Sequence, residues 1–344
     1  MNNCKVIPVW NMTENEWLAQ RRALGIGGSD AGTILGVNTY KSPYALWADK
    51  TGRADKDDAG DAARWGHRLE PVIAQAYAED YNVALVEWKV ILVSVEHPYM
   101  FANLDYLEVT PSEQFPAGLV TEWRELVPPP GAHNIVECKT SGIASPGTVH
   151  HWNNNQIPIS YYYQGLHYSI VTGIFGVTFV ALLAGQGLVI REMPMIDEDA
   201  DTLIAAESMF WDLVQSDTPP PVDGSNSTEE AQKFRFREVE SGLVYDGGAT
   251  LAALWADFEA AKAEAEAADK ARKELRAKIL EAVGNAEVGV AGDQKLFTFK
   301  SNNPTVSVDT GKLKSEFPDI YEAVKKTNSG ARVLRGASKL QKTT

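Results

Sequence analysis

Two cysteines, Cys4 and Cys138, are all that the 344 residues contain. Two thiols cannot build a disulfide framework or a four-cysteine metal centre, and they fall short of the ligands of an iron–sulfur cluster. Long apolar runs are missing as well. The best, 173–185, stops short of the ~18 residues a membrane span needs. The opening Met1-Asn2-Asn3-Cys4-Lys5 has no apolar signal core, so a reducing cytoplasm, away from any membrane, is the expected setting. Basic charge is also scarce: 32 Lys+Arg against 46 Asp+Glu leave a net charge of −14. Such a chain is a poor general nucleic-acid binder, because affinity there rests on neutralising phosphates. The deficit is uneven, however. Residues 295–344 carry a net +6 and the others −20, which allows a local basic surface on an acidic body.

What is present is an ordinary globular composition, 44% hydrophobic and 23% charged, with ample material for a core. Thr13 and Glu16 have capping-box spacing and open a short helix over 12–23. It ends at Gly25-Ile26-Gly27-Gly28-Ser29-Asp30, where three glycines in four positions let the backbone approach something closely. Ser29 or Asp30 is then placed to cap a helix over 31–35, and Ser42-Pro43 starts another over 43–50. Residues 53–61 are polar and read as a loop. Trp65, Leu69, Val72, Ile73 and Ala76 recur at helical spacing within 62–80. Strands are expected over 85–95, 99–109 and 134–140, with Pro128-Pro129-Pro130-Gly131 in a loop or extended hairpin between the last two. A helix over 159–172, strands over 177–184 and 188–193, and a helix over 197–214 follow.

Beyond the prolines at 219–221 the composition changes. Residues 222–248 are polar and lack periodicity, and 251–283, rich in Ala, Glu and Lys, is a long exposed helix. Short strands at 287–290 and 295–300 and a small helix near 312–317 come last. The expected organisation is a mixed α/β core over 1–220 and an appendage over 225–344 carrying the long helix and a basic tail.

The feature with most chemistry is Ile135-Val136-Glu137-Cys138-Lys139. On a strand, residues i and i+2 share a face, so Glu137 and Lys139 project together. A carboxylate beside an ammonium suits a Mg²⁺ site: oxygen binds the hard cation, and the lysine steadies a water or a developing negative charge. Acid–x–Lys also occurs at Glu87-Trp88-Lys89 and Asp293-Gln294-Lys295, so the spacing alone is weak. Its company strengthens it. Asp105 falls on the strand expected beside Glu137, and Glu70 sits about 60° around its helix from Ile73, at the border of the apolar stripe. Three carboxylates and a lysine make a one- or two-metal phosphodiesterase site.

Taken in order, Gly25-Ile26-Gly27-Gly28-Ser29-Asp30-Ala31, Gly66-His67-Arg68-Leu69-Glu70-Pro71, Leu104-Asp105, Glu137-Cys138-Lys139 and Tyr163-Gln164-Gly165-Leu166-His167-Tyr168 resemble the YqaJ-type viral recombinases. These are phage alkaline exonucleases related to lambda exonuclease, within the PD-(D/E)xK nuclease superfamily. The resemblance covers roughly residues 10–215. It implies an α/β (α+β), restriction-endonuclease-like fold, a mixed central sheet flanked by helices. It implies Mg²⁺, with Mn²⁺ as a substitute, held by Asp105 and Glu137 with Glu70 and the Cys138 carbonyl, while Lys139 activates or orients water. Gln164 and Tyr168 would stand beside the site. Arg22 and Ser29 match positions that hold a 5′-terminal phosphate in relatives, with Arg21 as a competitor for the role of Arg22.

The implied activity is Mg²⁺-dependent 5′→3′ digestion of double-stranded DNA ends, leaving 3′ overhangs for a single-strand annealing protein in phage-type recombination. Relatives include ring-shaped trimers, so a homo-oligomer is among the expectations. Two other readings stand beside it: a structure-specific or restriction-like endonuclease on the same fold, and a non-catalytic DNA-binding or phage-assembly protein using the long helix as a partner surface. The Pro-rich insertion between Asp105 and Glu137 is the point of risk. A register shift of one residue there would turn Glu137 and Lys139 away from the site.

Overall fold

The computed structural model describes residues 4–326 apart from 55–59, 122, 143–145, 239, 303 and 305. It divides into two compact units, 1–237 and 238–344. The expected loop over 53–61 and the basic tail lie partly outside the described residues.

The first unit is built on two sheets. One has the order β1-β4-β5-β2, formed by β1 (Cys4–Pro8), β4 (Val90–Ser94), β5 (Met100–Ala102) and β2 (Ile26–Gly27). The other runs β10-β9-β8-β6-β3-β7, formed by β10 (Gly187–Glu192), β9 (Gly176–Leu183), β8 (Ala132–Ser141), β6 (Tyr106–Val109), β3 (Ala84–Val86) and β7 (Gly118–Val120). The single strands expected over 85–95 and 99–109 are therefore each two strands. β3 and β6 pair in the six-stranded sheet, while β4 and β5 pair in the four-stranded one. Within these two stretches the chain crosses between the sheets at 87–89 and at 103–105, and β-propensity does not register such a crossing because both arms remain extended.

Helix α1 (Glu14–Leu24) begins at Thr13 with both halves of the capping box present. Helix α2 (Gly28–Ile34) starts three residues before the expected 31. Its N-cap is Gly27 rather than Ser29 or Asp30. Asp30 instead reaches back to accept the Gly27 N–H at 3.0 Å, and Lys50 lies 2.7 Å from the same carboxylate oxygen. Burial opposes the Asp30 anion, but Lys50 and the Gly27 N–H outweigh it and hold the carboxyl below its ordinary range. Helix α3 (Pro43–Lys50) has Ser42 as N-cap and Pro43 in its first turn, as the sequence predicts. Helix α4 (Asp61–Tyr81) ends at left-handed Asn82.

Helix α5 (Pro146–Asn153) precedes α6 (Ile159–Thr172), which is closed by left-handed Gly173. The core forms around α6. It packs on β4 and β5 of one sheet and on β9 of the other, burying Leu166 and Val171 with Leu92, Met100, Ile135 and Phe179. Helix α4 covers the opposite face of the six-stranded sheet, placing Ile73 and Tyr77 against Val136, Cys138 and Val180. The alternation along β8 is complete: Val136 and Cys138 face α4, whereas Ile135 and Glu137 face α6.

Helix α7 (Asp197–Gln215) is followed by α8 (Asn226–Arg235), in a stretch without readable periodicity. Ser42 Oγ lies 2.7 Å from Thr228 Oγ1, and Arg235 donates to the Tyr44 hydroxyl at 2.8 Å. These side-chain bonds tie α8 to α3, so the first unit runs past the expected boundary at 220 to 237. The Pro-rich insertion supplies β7, which adds to β3 in parallel. The second unit holds α9 (Gly248–Val283), the antiparallel pair β11 (Val288–Ala291) and β12 (Gln294–Thr298), and the short helices α10 (Thr310–Glu316) and α11 (Pro318–Val324).

Candidate active site

The register of β6 on β8 decides what faces the site. Tyr106 pairs with Val136 and Leu107 with Ile135, so Asp105, one residue before β6, stands across from Glu137. The insertion leaves a bulge between Glu108 and Val109, at the far end of the pairing. Register at Glu137 and Lys139 is undisturbed. Asp105 itself lies not within a strand but in the crossing between sheets, where its Oδ2 accepts the backbone N–H of Cys138 at 2.9 Å.

From this frame the side chains converge. Lys139 Nζ donates to Glu137 Oε1 at 2.8 Å and to Gln164 Oε1 at 3.1 Å. Gln164 Nε2 donates to the same Glu137 oxygen at 2.7 Å and lies 2.9 Å from the Tyr168 hydroxyl. Glu137 is 3% exposed, and its second oxygen, Oε2, is buried with no hydrogen-bond partner. Burial alone would lower the Lys139 pKa, yet Glu137 and Asp105 beside it hold the ammonium above the ordinary lysine range. Asp105 is pushed well above the carboxylate range, first by burial and then by the charges of Glu137 and Glu70. Glu70 is raised too, by burial and by Glu137, with His67 at 3.7 Å partly opposing.

These groups line a cavity of about 360 Å³ with Trp17, Arg21, Ser29 and Tyr161. A second cavity, of about 550 Å³, shares Ser29, Lys139, Tyr161 and Gln164 with the first and extends toward Tyr40 and His151. The glycine turn shapes the wall. Gly25 has φ +138°, and a Cβ there would lie 2.2 Å from the Tyr99 carbonyl oxygen; a Cβ on Gly28 would lie 2.4 Å from the Tyr168 ring. Both close approaches are to the protein itself, and the second seats α2 against the site.

Glu70, Asp105, Glu137, Cys138, Lys139, Gln164, Tyr168 and Ser29 all line the first cavity. Arg22 does not: it is exposed and lies 3.3 Å from Asp49. Arg21 lines the cavity instead, its guanidinium 4.5 Å from the Trp17 ring and 5.7 Å from Phe101. On a helix, adjacent residues point about 100° apart, so only one of the two arginines faces inward. The run Tyr161-Tyr162-Tyr163 reads from sequence as either a base-stacking or a packing element, with packing favoured; the Tyr161 ring lies 4.9 Å from Lys139 Nζ and stacks near Trp152 and Phe179. Sequence reasoning passed over Trp17 and the buried pair His167–Glu207. His167 presents Nδ1 to Glu207 at 2.8 Å and Nε2 to the Phe101 carbonyl at 2.9 Å, locking α6 to α7 and β5. The helical spacing of Trp17 and Arg21, at i and i+4, was the one available signal.

Whether these residues suit a divalent cation is tested by the site's own charge balance. Three carboxylates repel one another around a single ammonium, and one buried carboxylate oxygen has nothing to bind. Among the described residues no three His, Cys, Asp or Glu side chains close into a cage. The all-oxygen donor set, with one carboxylate oxygen unpaired, fits a hard divalent cation.

The YqaJ-like viral recombinase domain matches residues 16–174, a span that takes in Arg21, Ser29, Glu70, Asp105, Glu137, Lys139, Gln164 and Tyr168. Over 324 residues the chain is 33% identical to the protein YqaJ of Bacillus subtilis (strain 168), covering 92% of each. Among solved structures it is similar to an alkaline exonuclease, LHK-Exo, of Laribacter hongkongensis. Identity there is 14%, over 59% of this chain and 93% of that one, with a TM-score of 0.42, or 0.44 for the same protein with dAMP. On its identity and coverage with YqaJ, this chain belongs to the YqaJ-like viral recombinase family.

Proposed function

We propose that the protein is a Mg²⁺-dependent exonuclease that digests double-stranded DNA from its 5′ ends, leaving 3′ overhangs for a single-strand annealing partner. The observation that carries the reading is Glu137: one oxygen is clamped by Lys139 and Gln164, the other is buried and unpaired, and the residue lines the cavity together with Asp105 and Glu70. Evolutionary membership in a viral recombinase family agrees with this.

Asp105, Glu137 and the Cys138 carbonyl would hold the metal, with Glu70 acting at longer reach. Bound there, Mg²⁺ (or Mn²⁺) supplies Lewis-acid neutralisation of charge on the attacking and leaving oxygens of the phosphodiester. Lys139, kept protonated by its neighbours, orients the attacking water and offsets charge building on the phosphate. Gln164 fixes the Lys139 rotamer from one side, and Tyr168 fixes Gln164. Arg21 is the phosphate-gripping arginine, since a guanidinium pairs with two phosphate oxygens at once, and Ser29 adds a hydroxyl at the junction of the two cavities. The continuity of the cavities offers a strand a path past Lys139, with Tyr161 as a stacking surface.

Linear duplex DNA labelled at its 5′ ends, with and without 5′ phosphate, is the test, beside a closed circle. Progressive loss of the linear duplex, faster with the phosphate and absent on the circle, is expected. Cleavage of the circle favours an endonuclease, and no cleavage of either by folded protein supplied with Mg²⁺ overturns the proposal.

A further inference from the structure

Helix α9 runs for 36 residues and buries none of them. At 1.5 Å per residue it is about 54 Å long. A solvated helix of that length gains no support from packing, yet α9 carries an apolar stripe: Leu254 and Leu275 are 62% and 59% exposed, and Phe258 and Ile279 each 46%. The stripe has a seven-residue period. With Leu251 as position a, nine of the ten a and d positions through Ala282 are apolar, Arg272 being the exception. A hydrophobic seam of that period over more than four heptads is the pattern of a coiled coil.

We propose that α9 pairs with α9 of a second copy of this chain as an antiparallel two-stranded coiled coil. The helix is complementary to its own reverse. Aligned antiparallel about the point between Glu266 and Ala267, every a position meets a d position. Phe258 meets Leu275, Leu254 meets Ile279, and Leu251 meets Ala282. At the centre Ala265 meets Ala268, so large residues fill both ends and small ones let the helices approach in the middle. Arg272 meets Ala261, whose small side chain leaves room for the arginine stem to run to the rim. One polar residue in the seam also specifies register.

Charge selects the direction. In an antiparallel pair e flanks e and g flanks g of the other helix. Lys262 then meets Asp269, Asp257 meets Lys278, and Trp255 meets Arg276, a cation–π arrangement; no like charges oppose. A parallel pair in the same register sets Glu264 against Asp269. Within one helix Asp269 lies 2.6 Å from both Arg272 and Lys273, exposed pairs that exchange at little cost. A partner of a different sequence would have no reason to match both the size gradient and the charges of this helix read backwards.

Sedimentation of the full chain is the test, with circular dichroism to confirm that each variant keeps its helix. The wild-type protein is expected to dimerise, and Phe258→Glu to be monomeric. Lys262→Asp alone is expected to weaken dimerisation about tenfold at low salt, by setting two pairs of like charge across the seam, and Lys262→Asp with Asp269→Lys to restore it. A wild-type monomer at every concentration, a larger ring, or an assembly indifferent to Phe258→Glu overturns the proposal. Failure of the double exchange to restore pairing overturns its antiparallel direction. None of the substituted residues is among those that line the nuclease cavity, so loss of pairing and loss of cleavage are read separately.

Discussion

Gln164 and Glu137 meet at 2.7 Å, amide nitrogen to carboxylate oxygen, and the other end of the same amide accepts from Lys139. One neutral side chain thus holds an acid and a base in fixed relation. An amide is the group this geometry requires, since it donates to the carboxylate and accepts from the ammonium at once.

Gln164→Ala is accordingly expected to lower kcat by about 10- to 100-fold, the usual cost of losing a group that orients a catalytic one, with little change in KM. Lys139→Ala and Glu137→Ala are expected to abolish cleavage while leaving the circular dichroism spectrum intact. Retained Mg²⁺-dependent cleavage by folded Glu137→Ala would remove the metal-site assignment.

Mutual repulsion of Asp105, Glu137 and Glu70 makes the metal-free site a destabilising feature. Added Mg²⁺ is expected to raise Tm, by about 2.7 kcal/mol of stability at a hundred times Kd. Asp105→Asn removes one of the repelling charges. That variant should equal or exceed the wild-type Tm without metal, show little response to Mg²⁺, and have no nuclease activity. Thermal scans with a chelator and then with excess Mg²⁺ check each part.

The two neighbouring arginines separate cleanly. Arg21→Ala is expected to erase most of the preference for 5′-phosphorylated ends, about tenfold, since a charge-assisted hydrogen bond contributes about 1.5–3 kcal/mol. Arg22→Ala, losing an exposed ion pair with Asp49, should change rates by no more than about twofold. Matched rates on 5′-phosphate and 5′-hydroxyl duplexes decide it.

His167 provides a pH signature away from the metal. Burial disfavours the imidazolium, but Glu207 beside it and the Phe101 carbonyl hold its pKa above the ordinary value near 6.5. Glu207 is raised as well, burial outweighing the attraction of His167. Both shifts have one sign: the folded protein keeps a proton that the unfolded chain releases. Stability from His167 is full below the unfolded imidazole pKa and is lost as pH rises from about 6.5 through the folded value, while that from Glu207 begins to be lost already above its ordinary value near 4.5. Urea unfolding between pH 6 and 9 should show this slope, and His167→Gln, less stable at pH 6, should lack it.

Much of this protein is local, and so was legible. The capping box at Thr13, the Ser42-Pro43 start of α3 and the limits of α6 each depend on residues within one or two turns. Glu137 and Lys139 share a face because strand geometry permits nothing else once 132–141 is extended. Sequence order also sufficed for the family likeness that joined Glu70, Asp105, Gln164 and Tyr168 to them.

Other features depend on contacts distant in the chain. Residues 84–94 and 100–109 are extended by propensity, but which sheet each half joins is decided by partners such as Ile7 opposite Ile91 and Ile135 opposite Leu107. Helix α8 exists in place because Tyr44 and Ser42 await it. Arg21 rather than Arg22 lines the cavity, with its guanidinium against Trp17 and Phe101, the latter eighty residues away in the chain. Burial of His167 against Glu207, forty residues on, has no local trace at all. By itself the sequence determined most of the longer helices and the pairing of chemistry along single strands and helices, where spacing is geometry. Only the tertiary structure decided which elements meet, because that choice belongs to the packing of surfaces that no local window contains.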